Sequence, residues 1–280
     1  MQGCLAPAKL NLFLHVVGRR ADGYHLLQSV FQLLDAGDRL DFSVREDGTV
    51  RRHPELPGVP QDSDLVVRAA RLLQQASGCR LGVDIRLEKH LPMGGGLGGG
   101  SSDAATTLIA LNRLWHTGFT RAQLMRLGLQ LGADVPFFLC GGNAFVEGVG
   151  EILTPLDTPE RWYVVLEPGV HVSTPEIFRA PQLTRDTELV TIADFSRAPK
   201  RFGKNDLQRV VTSIQPAVAQ ALEALSRYGE ARMTGSGSCV FCAFDDESAA
   251  DQAVANLAAR WKAWKARGIN RHPMADHLPS

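Results

Sequence analysis

Pro92-Met93-Gly94-Gly95-Gly96-Leu97-Gly98-Gly99-Gly100-Ser101-Ser102 is the stretch on which the reading of this chain turns. An alternating segment from Arg80 to Leu87 leads into it, as a strand would. After it, Ser101-Ser102-Asp103 opens a helical pattern with Ala104, Ala105, Leu108, Leu111 and Trp115 on one stripe. Glycines let a backbone turn sharply and approach a ligand closely. The helix that follows presents unpaired N–H groups and the positive end of its dipole. Six glycines between a strand and a Ser-Ser helix start thus describe a cradle for phosphate oxygens, with a flexible turn as the plainer alternative. Asp103 lies in the first turn, where it suits the helix dipole but would repel a phosphate. It is expected either to point away or to have a metal ion in front of it.

Several kinds of phosphate loop are excluded. A Walker loop ends in Gly-Lys-[Ser/Thr], yet no lysine lies between Lys89 and Lys200. Gly94, Gly96 and Gly99 satisfy G-x-G-x-x-G, a weak pattern in any glycine run. A dinucleotide fold would also want an acidic residue about twenty positions on, where this chain reads Gly118-Phe119-Thr120-Arg121. The H-R-D and D-F-G segments of protein kinases are absent.

Working outward, Lys9 to Val16 alternates, with Leu10, Leu12, Leu14 and Val16 facing one way and Lys9, Asn11, Phe13 and His15 the other. Period two predicts a strand with one buried face. Thr120 with Gln123 forms a capping box for a helix carrying Leu124, Leu127 and Leu131, and Gly132 suits its end. Periodicity lapses around Thr154 to Arg161, which sets an expected domain boundary between 1–156 and 157–280. The second half predicts a strand from Trp162 to Leu166, a short helix, and a long helical region from Asn205 to Tyr228. A hairpin around Gly235-Ser236-Gly237-Ser238 follows, then a last helix from Ser248 to Arg267 and a frayed tail from Asn270 to Ser280. Strands and helices interleave without a strict βαβ rhythm, so the class is α+β.

Composition narrows the function. The 280 residues are 44% apolar and 21% charged, enough for a proper core. Thirty basic residues balance thirty acidic ones, which argues against a nucleic-acid binder. No apolar run reaches membrane-span length, and Lys9, Asn11 and His15 interrupt the one that could serve as a secretion signal. Five scattered cysteines suit reduced thiols and a cytoplasmic chain. Cys239 and Cys242, three apart in an apparent strand, point to opposite faces and read as core residues. The histidines show no metal-ligand spacing.

Three segments in order, Pro7-Ala8-Lys9-Leu10-Asn11-Leu12, the glycine loop, and Met233-Thr234-Gly235-Ser236-Gly237, resemble the motifs of the galactokinase, homoserine kinase, mevalonate kinase and phosphomevalonate kinase superfamily. Arg20-Ala21-Asp22-Gly23-Tyr24-His25, Gly132-Ala133-Asp134-Val135-Pro136-Phe137-Phe138 and Asn205-Asp206-Leu207 narrow the resemblance to its 4-diphosphocytidyl-2-C-methyl-D-erythritol kinases. The resemblance implies a two-domain α+β small-molecule kinase fold with the active site in the interdomain cleft. It implies ATP, with Mg²⁺ arriving on it, and a small-molecule substrate bearing a cytidine diphosphate group. The reaction would phosphorylate that substrate's 2-hydroxyl, a step in non-mevalonate isoprenoid biosynthesis.

By motif position the resemblance makes Asp134 the catalytic carboxylate and Lys9 its partner, with Pro92 to Ser102 around the ATP phosphates. Tyr24, His25 and Phe178 would hold the cytosine, with Asn11 and Thr174 nearby. The chain reads Ser63-Asp64-Leu65-Val66 where the family usually has Asn-Leu, which leaves the adenine contacts open.

Without the resemblance these residues have plainer readings. Lys9 and Asn11 could be solvated strand residues. Asp134 before Val135-Pro136 could be a helix N-cap. Tyr24-His25 after Asp22-Gly23 could be a capped turn, and Gly235 to Ser238 a simple hairpin. Two functional alternatives also stand: a kinase of the same superfamily acting on mevalonate, homoserine or a sugar, and a nucleotide-binding sensor without chemistry. The oligomeric state is not legible.

Overall fold

The alternation around Lys9 belongs to a strand, β1 (Cys4–Arg19), in the computed structural model, which describes residues 1–200 and 202–279. β1 pairs antiparallel with the long β2 (His25–Arg45), with register shifts between Pro7 and Lys9 and between Asn11 and Leu14. The expectation of one buried face is corrected: Lys9, Asn11 and His15 are all buried, because protein covers both sides of the strand. α2 packs on the strand, and the N–H groups of Lys9 and Asn11 donate to Leu97 of the glycine loop and Thr234 of the second half.

Then follow β3 (Val50–His53), α1 (Leu65–Ser77), β4 (Gly82–Glu88), α2 (Gly99–Leu114), α3 (Arg121–Leu131) and α4 (Val135–Cys140). β5 (Ala144–Glu147) and β6 (Ile152–Pro155) close the first half. The second half contains β7 (Trp162–Glu167), α5 (Thr174–Arg179), α6 (Ile192–Arg197), α7 (Gln208–Ile214), α8 (Pro216–Ser226), β8 (Arg232–Met233), β9 (Val240–Phe244), α9 (Glu247–Leu257) and β10 (Lys262–Ile269). The main sheet path runs β3-β4-β2-β10-β7-β9-β8. β10 joins the halves: Lys262 to Arg267 pair with β7, and Gly268 and Ile269 pair with β2.

Three apolar clusters hold this arrangement. One lies between β2 and β4 and helices α1 to α4. A second packs β7 and β9 against α7, α8 and α9. The third joins β1 and β2 to β7 and β9, with Leu97 of the glycine loop inserted into it. The loop is thus anchored by Leu97, while Met93, Gly94 and Gly100 stay exposed. No helix among the described residues is long and apolar enough to cross a membrane.

Three expectations are corrected. The helical region from Asn205 to Tyr228 breaks at Pro216, because proline lacks an N–H and pushes its predecessor out of the helical region; Gln215 has φ −126° and ψ 86°. The last helix stops at Leu257, and Lys262–Ile269 is a strand. Its alanines and lysines favour helix, but open edges on β7 and β2 supply a ladder that outweighs propensity. The tail is not frayed: His272 and Met274 are buried, His272 N donates to Gly141 O, and Leu278 packs on the first core. Ser280 lies outside the described residues.

Candidate active site

Two separate stretches of chain, β1 and the segment from Thr234 to Cys239, meet at the glycine loop. The backbone N–H of Lys9 donates to Leu97 O at 2.9 Å, and Cys239 N–H donates to Gly95 O at 3.1 Å. Thr234 Oγ1 donates to Gly96 O at 3.2 Å and accepts from Asn11 N–H at 3.0 Å. The carbonyls of Gly95, Gly96 and Leu97 are therefore turned into the protein. What remains for a ligand is the N–H side of the loop and the unpaired N–H groups at the start of α2, which suits an anion.

A cleft of about 600 Å³ opens over this loop. Pro92, Met93, the six glycines, Leu97 and Ser101 line it from the first half, and Val172, Thr174, Ser236 and Gly237 from the second. Ser102, expected among the phosphate contacts, is wholly enclosed and does not line the cleft. Thr174 Oγ1 and Ser236 Oγ are 2.6 Å apart across it, so the start of α5 touches the third motif.

Lys9 and Asp134, 125 positions apart in sequence, come together with Nζ 3.6 Å from Oδ2. The lysine is 3% exposed, whereas the Asp134 side chain is about a third exposed and free to meet a ligand. Burial lowers the Lys9 pKa, and Asp134 opposes that shift. Lys9 Nζ also donates to Asn11 Oδ1 at 2.5 Å and lies 4.3 Å from the centroid of Phe31. Asn11 Nδ2 donates to Ser29 Oγ, which donates to Phe13 O. Both ends of the Asn11 amide are thus used internally, so Asn11 orients Lys9 from a buried position.

Asp134 does not cap α4. It has helical φ and ψ (−83°, −13°), and its carboxylate makes no hydrogen bond to the first turn. Pro136 lacks an N–H, and the carboxylate faces Lys9 instead.

Asp103 has a partner that sequence spacing did not suggest. The Lys89 ammonium lies between two buried carboxylates, donating to Asp38 and to Asp103 Oδ2 at 2.8 Å. Burial pushes the Asp103 carboxyl up to about 8 against the pull of Lys89. Burial works against the Lys89 charge as well, but the two carboxylates outweigh it and raise its pKa. Asp38 also accepts from the N–H groups of His90 and Leu91, at 2.6 and 2.9 Å, and so fixes the entry to the glycine loop. Sequence spacing offered no sign of this cluster, since Asp38 comes from β2. Asp64 lines the far end of the cleft while capping α1 and pairing with Arg52 Nε at 2.8 Å.

Tyr24 and His25 stand at the β1–β2 turn, far along the strand pair from Lys9. On β2, His25 is six residues from Phe31, the partner of Asn11, which is roughly 20 Å at strand rise. Phe178 of α5 packs on His25 with ring centroids 5.1 Å apart and planes 30° off, while Tyr24 projects alone, 65% exposed. The two expected aromatic faces are therefore present but not stacked on each other.

Asn205 also belongs to the site's framework. Its Nδ2 donates to Met233 O and Gly235 O, both at 2.8 Å, and its Oδ1 accepts from Leu207 N–H. Asn205→Ala leaves two buried carbonyls of the third motif without donors, at about 1–3 kcal/mol. The expected result is a lower urea midpoint together with a raised KM for ATP, measured by chemical denaturation and steady-state kinetics.

Comparison with known proteins agrees with this geometry. Two family models match, GHMP kinases N terminal domain over residues 64–142 and GHMP kinases C terminal over residues 188–263. A 4-diphosphocytidyl-2-C-methyl-D-erythritol kinase of Herminiimonas arsenicoxydans is 64% identical over 278 residues, covering 98% of this chain and 97% of that protein. One from Janthinobacterium sp. (strain Marseille) is 62% identical over 277 residues, covering 97% and 96%. A crystal structure of 4-(cytidine 5'-diphospho)-2C-methyl-D-erythritol kinase is similar at TM-score 0.83 and 35% identity, covering 94% of this chain and 98% of that one. Methanococcus jannaschii mevalonate kinase, at TM-score 0.67 and 14% identity, shares the fold. With near-complete coverage at this identity, and with the superfamily's first and third motifs both bonded to the glycine loop, the chain belongs to the 4-diphosphocytidyl-2-C-methyl-D-erythritol kinase family of the GHMP kinases.

Proposed function

We infer that this chain transfers the γ-phosphoryl group of ATP to the 2-hydroxyl of 4-diphosphocytidyl-2-C-methyl-D-erythritol, a step in non-mevalonate isoprenoid precursor formation. The observation that carries this reading is the Lys9–Asp134 pair, enclosed on the lysine side and open on the carboxylate side, with Lys9 bonded through its N–H to Leu97 O of the glycine loop. Phosphoryl transfer passes through a loose transition state, so catalysis is mostly positioning and charge stabilisation. In this reading Asp134 accepts a hydrogen bond from the substrate hydroxyl, orients it, and takes its proton late. Lys9 steadies the negative charge near the transferring group, and Asn11 holds Lys9 in place.

The glycine loop and the start of α2 hold the ATP phosphates with backbone N–H groups, and Lys89 keeps Asp103 from repelling them. Mg²⁺ comes bound to ATP and neutralises phosphate charge. Tyr24, His25 and Phe178 hold the cytosine. The roughly 20 Å between His25 and the Lys9–Asn11 region supports an elongated substrate, with a base at one end, a diphosphate between, and the reacting hydroxyl at the other. We read residues 1–156 as the ATP-phosphate and catalytic part and 157–280 as the substrate part. We assign the enzyme to the cytoplasm, a reading supported by five free thiols.

The test is ADP release in a coupled assay with Mg-ATP. Turnover is expected with the cytidylated compound and not with mevalonate, homoserine or galactose. Turnover with one of those three instead would overturn the base-binding assignment. ATP binding with no turnover on any of the four would favour a sensor.

A further inference from the structure

The loop after α5 carries a residue that the reaction as described does not use. Arg185 Nε donates to His25 Nε2 at 3.0 Å. Its remaining fork is tied to backbone: Nη1 donates to Leu183 O at 3.0 Å, and Nη2 to Phe178 O and Ala180 O at 3.0 and 2.8 Å. One guanidinium thus holds the end of the helix that bears Phe178 and touches the ring against which Phe178 packs.

The chemistry of this contact has one solution. An arginine side chain has only donors and stays charged at any working pH. His25 Nε2 must therefore accept, so the ring is neutral and its proton sits on Nδ1. Burial lowers the His25 pKa, and the charges of Arg185 and Arg19 lower it further, in keeping with a neutral ring. The Nδ1–H donor is what the imidazole then offers to a ligand.

We propose that Arg185 is a positioning residue that fixes the His25 tautomer and thereby makes the pocket select cytosine over uracil. The proposal rests on the reading that His25 meets the base. Cytosine N3 is an acceptor, whereas uracil N3 carries a hydrogen. A fixed Nδ1–H bonds the first and opposes the second, donor against donor. Without Arg185 the imidazole can move its proton to Nε2 and present an acceptor at Nδ1, which uracil satisfies. A mismatched base edge typically costs tenfold to a hundredfold, as an order of magnitude.

The experiment measures kcat and KM on the full chain with the cytidylated substrate and its uridylated counterpart, for the native sequence, Arg185→Ala, Arg185→Lys and His25→Ala. Nitrogen-15 NMR of the His25 ring accompanies it. The native protein is expected to favour the cytidyl compound by about tenfold to a hundredfold and to show Nε2 as the unprotonated nitrogen. In Arg185→Ala the cytidyl KM is expected to rise about tenfold with kcat within about twofold. The cytidyl preference is expected to collapse, and the Nε2 signal to shift toward a protonated nitrogen. Arg185→Lys, which keeps a donor in reach, is expected to retain much of the preference.

The proposal is overturned if native Nε2 carries the proton. It is equally overturned if Arg185→Ala weakens both substrates alike with the ring signal unchanged, the signature of loop support alone. His25→Ala separates the two layers. Unchanged KM and preference in that variant would remove the base reading and this proposal with it. A raised KM with lost preference, beside a neutral Arg185→Ala, would sink the proposal and leave the base reading standing.

Discussion

Asp134→Asn is expected to lower kcat by about 10²- to 10⁴-fold, the usual range for removing a general base. ATP binding and the fold should persist, because the Asp134 carboxylate makes no capping bond to α4 that an amide would lose. The substitution also acts on Lys9. That ammonium is buried, burial depresses its pKa, and Asp134 is the charge that opposes the depression. With a neutral amide in its place the lysine moves further toward its uncharged form, with Asn11 Oδ1 as its remaining close acceptor. Proton acceptance and charge support therefore fail together, so Lys9→Met combined with Asp134→Asn should cost much less than the sum of the two single losses. Single-turnover ADP formation, with a thermal melt as the folding control, measures both. Near-native turnover in Asp134→Asn would show that another group takes the proton.

Gly96→Ala should damage stability and nucleotide binding at once. Gly96 has φ +78°, and an added Cβ would come within 2.2 Å of Thr234 O and 3.2 Å of Gly237 O. These are backbone atoms of the third motif and cannot rotate aside, so the two motifs must separate. Overpacking with positive-φ strain costs about 2–4 kcal/mol. The KM for ATP is expected to rise at least about tenfold, a size set by how steeply catalysis depends on ångström-scale placement. Gly118→Ala supplies the contrast: it has φ +72° but nothing within 4 Å of the added carbon, so only the conformational cost of about 1 kcal/mol applies. Urea midpoints and ATP kinetics on the two variants separate backbone strain from the clash between motifs. Equal effects in both would mean that the close approach of Gly96 to Thr234 carries no energy.

Local signals were legible where the cause was local. Thr120 and Gln123 form the capping box that their spacing predicts, and α3 runs Arg121–Leu131 behind it. The apolar stripe after the glycines belongs to α2. The hairpin around Gly235 to Ser238 joins β8 to β9, with Cys239 and Cys242 buried in the core as expected. Lys262–Ile269 was misread because its side chains favour helix, and only the facing edges of β7 and β2 make it a strand. The tail was misread because its docking surface, around Gly141 and the first core, lies far away in sequence. Solvation stood as an open alternative for Lys9 and Asn11 because alternation reports a polar face, not what covers it; both are buried.

The sequence by itself determined the glycine loop between a strand and a helix, the α+β class and, through the ordered motifs, the family. Those depend on residue types at fixed local spacing: glycines before a helix start, polar and apolar alternation, and a capping pair. The tertiary structure alone decided what the charges do. It inserted Lys89 between Asp38 and Asp103 and turned Arg185 onto His25, and it realised the Lys9–Asp134 pair that motif position proposes, in place of a cap on Asp134's own helix. Each of these partners comes from a different strand, helix or loop. A charge buried in a low-dielectric interior takes the counter-charge that folding brings nearest, and sequence spacing does not record that proximity.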